Sequence, residues 1–65
     1  MNKEEILKEY KNYCDDLNID YKNKNNKDKF IYDYLKHLHN IGKLSYFKDN
    51  FYKIQNDIRK ILREV

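Results

Sequence analysis

Residues 51–65 read FYKIQNDIRKILREV, with apolar side chains at Phe51, Ile54, Ile58, Ile61 and Val65 spaced by three, four, three and four. Phe47 stands four positions earlier and extends the series. Alternating threes and fours keep one edge of an α-helix apolar, whereas a half-buried strand would need spacings of two. This is the heptad alternation of a coiled-coil seam, sustained here for just under three heptads. It predicts a helix over residues 46–64, capped by Ser45 and with Leu62 widening the seam. An apolar edge must be covered, so the remaining chain is read for what covers it.

Gly42 precedes that segment and suits the left-handed position that ends many helices, with Leu44 placed to fold back on the last turn. The helix it closes is predicted over 27–41 with Asn26 as its cap. At about 100° per residue, Phe30, Ile31, Tyr32, Tyr34, Leu35, Leu38 and Ile41 cover roughly half its circumference. Such a helix needs covering from two directions, which makes it the middle element. Ahead of it, NIDYKNKNNK (residues 18–27) is rich in Asn and Asp, which bond nearby backbone and favour turns. Ile19 and Tyr21 are placed to pin this loop to the core. The first helix is predicted over 3–17, with an Asn2/Glu5 capping box and Glu4 near the positive dipole end. Its inward face carries Ile6, Tyr10, Tyr13 and Leu17, with Leu7 and Cys14 on the shoulder.

The fold class that follows is all-α, a small up-down-up three-helix bundle occupying residues 1–65 as one domain. Absence of proline and a single glycine in 65 residues agree with long helices. So short a chain buries only about 60% of its unfolded surface. With one cysteine, no intrachain disulfide can reinforce it. The broad apolar arc and seven tyrosines exceed what two neighbouring helices cover, so a homodimer is expected.

No apolar run approaches the roughly 18 residues needed to span a bilayer. MNKEEILKEY (residues 1–10) lacks the apolar core of a signal peptide. These readings, with the lone thiol, give a cytoplasmic protein and, with the initial Met, a complete small reading frame. Lys, Asn, Ile and Tyr dominate while Ala and Thr are missing, a bias of A+T-rich coding that fits a viral or mobile-element accessory protein.

Signals for chemistry are sparse. Asp16, Asn18 and Asp20 match the first three ligand positions of a calcium-binding EF-hand loop, but Tyr21 replaces its glycine and Lys27 its bidentate glutamate. His37 and His39 point about 200° apart on a helix and cannot share a metal. Cys14 has no histidine at a catalytic spacing. No catalytic residue, metal site or cofactor is assigned, and the protein is read as non-enzymatic.

Charge is more informative. Residues 1–20 hold three Lys against six acids, and residues 21–65 hold eleven Lys and Arg against five. The halves either balance within the fold or leave the basic half facing an anionic partner. One flank of the third helix, Asp49, Lys53, Asp57, Lys60 and Glu64, alternates in sign. The other, Lys48, Tyr52, Gln55, Arg59 and Arg63, contains no acid, and Lys22 and Lys24 of the loop extend it. Tyr and Arg dominate protein-binding hot spots, so this set predicts a small regulator or inhibitor binding a protein partner. The same cations with an interleaved Tyr also suit nucleic acid, though Leu38 stands where a helix-turn-helix needs a small residue.

Overall fold

A computed structural model describes residues 2–44 and 50–65. It contains three helices, α1 (Lys3–Leu17), α2 (Lys24–Asn40) and α3 (Asn50–Leu62), with no strands among the described residues. Each helix packs on both others within 32 × 21 × 20 Å.

The α1 boundaries match the sequence expectation. The Asn2 carboxamide oxygen accepts from the amides of Glu4 (2.8 Å) and Glu5 (3.4 Å), satisfying two donors that the helix itself leaves unpaired. The far end closes on Asn18, left-handed at φ 54°. Its amide donates to the Asp15 carbonyl and that of Ile19 to the Cys14 carbonyl, the paired bonds of a Schellman turn. Gly42 at φ 77° closes α2 in the same way, with Gly42 N–H on His39 O and Lys43 N–H on Leu38 O. Leu44 then turns inward and is buried.

The start of α2 departs from the expected Lys27. The helix begins at Lys24, and Asn23 rather than Asn26 is the cap, accepting from the amides of Asn25 and Asn26. Three asparagines compete for this role. Asn26 is taken out of the competition because its side-chain amide donates to the Asp20 carbonyl at 3.0 Å. At the other end α2 stops at Asn40, one residue before the predicted Ile41. The third helix, predicted to Glu64, ends at Leu62, and a turn carries Glu64 and Val65 back onto the carbonyls of Ile61 and Leu62. The predicted Ser45 cap, the first turn from Tyr46 and the seam residue Phe47 lie outside the described residues.

Among the described residues nine side chains form the buried core: Ile6, Tyr10 and Cys14 of α1, Phe30, Ile31 and Leu35 of α2, Leu44, and Ile58 and Leu62 of α3. Tyr10 is fully buried within it. Its hydroxyl donates to the Tyr21 carbonyl at 2.5 Å, and its ring meets Phe30 edge-on at 5.2 Å. Phe30 also meets Tyr13 edge-on and stacks on Tyr34, so an aromatic cluster joins α1 to α2. Each such pair contributes about 0.5–1.5 kcal/mol beyond area burial. The broad arc of α2 is divided as expected between two neighbours, leaving Tyr32 (66%) and Ile41 (50%) exposed.

Two face assignments are corrected. Leu17, expected inward, is 49% exposed, while Cys14, expected on the shoulder, is fully buried. The chain reverses at Asn18, and Ile19 rather than Leu17 packs against the core there. On α3 the buried pair is Ile58 and Leu62, whereas Phe51, Ile54, Ile61 and Val65 are only partly buried. A seam spaced by four instead of an evenly covered heptad edge follows from the way the helices cross.

The helix ends show that crossing. Lys27, near the start of α2, reaches the Val65 backbone oxygen at 2.7 Å, so α2 and α3 run antiparallel. Lys3, at the start of α1, pairs with Glu64 at 2.6 Å. In an up-down-up bundle Glu64 would lie about 20 Å along from the first turn of α1. Two side chains cannot span that distance. The first helix therefore lies across the other two, and α3 meets it at one end instead of lying lengthwise in an α1–α2 groove.

Two outcomes follow. Leu62→Ala lowers the free energy of unfolding in urea by about 2–5 kcal/mol, whereas Leu17→Ala costs less than about 1. The fold also weakens in alkali. Burial and then the Asp33 hydrogen bond push Tyr13 from 10.0 up to about 12, and burial raises Tyr10 further. A raised folded value stabilises below the unfolded 10.0 and loses that contribution as pH climbs through it. Urea midpoints measured from pH 9 upward therefore fall above about pH 10. The fall is shallower in Tyr10→Phe, which costs about 1 kcal/mol at neutral pH through the lost hydrogen bond.

Candidate functional site: a basic groove between two helices

The early start of α2 determines where its lysines fall. With the helix running from Lys24, residues Lys24, Lys27, Asp28 and Ile31 share one face at spacings of three and four. That face looks across a groove at the last turns of α3. Lys22 joins from the preceding turn, held by its amide on the Asp20 carboxylate at 3.0 Å.

The groove opens as a concavity of about 480 Å³ lined by Lys22, Lys24, Lys27, Asp28, Ile31, Arg59, Leu62 and Arg63. Among the described residues, five cations thus surround one carboxylate over a partly apolar floor. A second concavity of about 530 Å³ continues along the same two helices, sharing Asp28, Ile31 and Arg59 and adding Tyr32, Leu35, Lys36, Phe51 and Gln55. Lys27 is engaged with the Val65 backbone oxygen. Among the described residues, no carboxylate lies within 4.0 Å of the side-chain nitrogens of Lys22, Lys24, Arg59 or Arg63.

Of the residues selected from sequence, Lys22, Lys24, Gln55, Arg59 and Arg63 are brought to this groove. Tyr52 is 67% exposed and does not line it, and Lys48 lies outside the described residues. Sequence reasoning missed Lys36 and Tyr32 as groove residues and included Lys27 only as part of the lysine-rich stretch of residues 21–29. The sharper signal for Lys27 was its three-residue offset from Lys24, hidden once Lys24 was assigned to the loop and Lys27 to the start of the helix.

The opposite side of α2 has the reverse character. Glu5, Glu9, Asp16 and Asp33 surround a concavity between α1 and α2, with Lys43 as its one lysine among the described residues and Ile41 and exposed His37 beside them. Burial, and then the negative charge of Glu5 and Glu9, raises the Tyr34 hydroxyl above its usual value there. The Tyr13 hydroxyl donates to Asp33 at 3.0 Å.

The remaining chemical candidates are occupied otherwise. Cys14 is a buried free thiol. A ring nitrogen of His39 meets the Leu44 carbonyl at 3.1 Å. In the calcium-loop segment, Asn18 caps α1 and Asp20 binds the Lys22 and Asn26 amides. Among the described residues no group of three or more His, Cys, Asp or Glu is placed to hold a metal, and no helix is long and apolar enough to cross a membrane.

Comparison of the chain with protein-family models, with curated proteins and with solved structures gave no match.

Arg59 and Arg63 project into solvent and support no buried contact, so they are separable from the fold. Arg59→Gln with Arg63→Gln leaves the far-UV circular dichroism unchanged. Thermal unfolding of the double variant shows a loss of no more than about 2 kcal/mol, the helix-dipole interaction of two cations near a C-terminal end.

Proposed function

We propose that this chain is a non-enzymatic interaction module, a small regulator or inhibitor that binds a macromolecular partner through the basic α2–α3 groove. The observation that carries this reading is the convergence of Lys22, Lys24, Arg59 and Arg63, from two separate parts of the chain, around one concavity with a single carboxylate among the described residues. The floor favours a protein partner. Ile31, Leu35, Phe51 and Leu62 contribute apolar surface along the groove. An acidic amphipathic segment of a protein matches both parts, burying its apolar side on the floor and setting carboxylates against the rim. Bidentate Arg–carboxylate pairs supply orientation, and Tyr52, exposed on α3 outside the groove, offers a hot-spot contact to a partner that extends beyond it.

A second reading, nucleic-acid binding, draws on the same cations. Lys22 and Lys24 extend the positive rim beyond α3, and successive phosphates would engage them together with Arg59 and Arg63. A concave, partly apolar floor matches a phosphate backbone less well than it does a protein helix, which places this reading second.

The two readings separate experimentally. Affinity capture from the native host retains a protein partner with the wild type and loses it with Arg59→Glu and Arg63→Glu. Capture that is indifferent to these changes and to Tyr52→Ala removes the protein reading. Gel retardation of DNA and RNA at low salt tests the second. Binding through phosphates must fall linearly with the logarithm of salt, by about 0.7–0.9 per neutralised phosphate. No retardation at low salt eliminates it.

A further inference from the structure

We infer that the basic α2–α3 groove also docks the acidic α1–α2 face of a second copy of this chain, joining molecules head to tail. This rests on the reading of the groove as a partner-binding surface and names one partner for it. The sequence divides its charge between halves, and the fold keeps that division instead of cancelling it. Among the described residues the one ion pair is Lys3–Glu64, and it belongs to neither concavity. Glu5, Glu9, Asp16 and Asp33 are exposed on one side of α2, and the unneutralised cations of the groove are exposed on the other. Each face also carries a large apolar side chain that a partner would cover, Ile41 within the acidic face and Tyr32 along the groove, 50% and 66% exposed. Charge therefore makes the two faces complementary to each other and repels either from its own kind.

Such a contact is heterologous, one face meeting a different face, so it propagates unless its rotation closes a ring. It is also rim-electrostatic, so salt weakens it. Self-docking occupies the same groove as a foreign partner, and the two exclude one another.

Sedimentation velocity of the full chain at roughly 10–100 µM, in about 0.02 M and about 0.5 M NaCl, tests this. The wild type associates at low salt, and its dissociation constant rises about tenfold or more at high salt. Arg59→Glu with Arg63→Glu, and separately Glu5→Lys with Glu9→Lys, are each monomeric. Mixing the two variants restores a complex, because one supplies an intact acidic face and the other an intact groove. The neutral pairs, Arg59→Gln with Arg63→Gln and Glu5→Gln with Glu9→Gln, weaken association without reversing charge, and circular dichroism confirms their fold. A wild type monomeric at both salts overturns the inference, as does association that survives both reversals or a mixture that does not reassemble. Binding of a fluorescent acidic amphipathic peptide, lost on reversal of Arg59 and Arg63, is measured in parallel. A peptide bound without self-association sinks this inference alone, whereas neither being bound sinks the groove reading with it.

Discussion

The buried Tyr10 phenol organises the rest of the molecule. A phenol taken out of water needs a hydrogen-bond acceptor, and the one it finds is the Tyr21 carbonyl, eleven residues on in the loop leaving α1. That bond holds the loop against the end of the first helix. The Tyr21 hydroxyl, donating in turn to the Asp15 carboxylate, fixes it from the other side. With the loop held, the Tyr10 ring can set its edge on Phe30, and the crossing of α1 over α2 is determined. Lys22 and Lys24 follow directly behind Tyr21, so the same bond decides that their ammonium groups reach the groove facing α3. The core contact and the candidate site are consequences of one another.

Local rules account for what the sequence made legible. The extent of α1 could be read because Asn2 and Asn18 are unambiguous at its two ends, and Gly42 could be read because its left-handed backbone suits few other residues. Where several residues could play one role, the reading slipped. Asn23, Asn25 and Asn26 all suit a cap, and only the tertiary bond from Asn26 to Asp20 decides among them. Periodicity also reports which residues share a face without reporting the angle at which faces meet. Leu17 and Leu62 exchanged their expected roles for that reason: α1 lies across its neighbours, so burial is concentrated where the helices cross and falls away toward the end of α1. The groove was partly legible, since Arg59 and Arg63 share an acid-free flank at a spacing of four. Lys27 entered it only through the shifted start of α2.

The charge pattern is the less ordinary feature. A chain with six acids in its first twenty residues and eleven cations in the remainder could pair them internally. Among the described residues its one salt bridge instead joins a lysine of the acidic half to a glutamate of the basic half, with both side chains about half exposed. Such a pair contributes at most about 1 kcal/mol, so the fold does not depend on it. Glu4 and Glu5 at the start of α1 and Arg59 and Lys60 at the end of α3 complement the local dipoles, whereas Asp15 and Asp16 at the end of α1 and Lys24 and Lys27 at the start of α2 oppose them. Local dipoles thus account for only part of the two charge fields, while the aromatic contact between α1 and α2 fixes the directions in which they point.

Stability and binding are coupled in a molecule of this size. Among the described residues nine side chains are buried, and the core of a chain of 65 residues rarely supplies more than about 3–5 kcal/mol against unfolding. The groove exists only while Ile31 and Leu35 remain packed with Ile58 and Leu62, so whatever fills it binds the folded chain and not the unfolded one. A ligand present at a hundred times its dissociation constant then adds about 2.7 kcal/mol, comparable with the stability of the free chain. Occupancy of the groove, by a foreign acidic segment or by another copy, would therefore change the folded population as well as the partner. The small size that weakens the core is what lets a surface contact act on the whole fold.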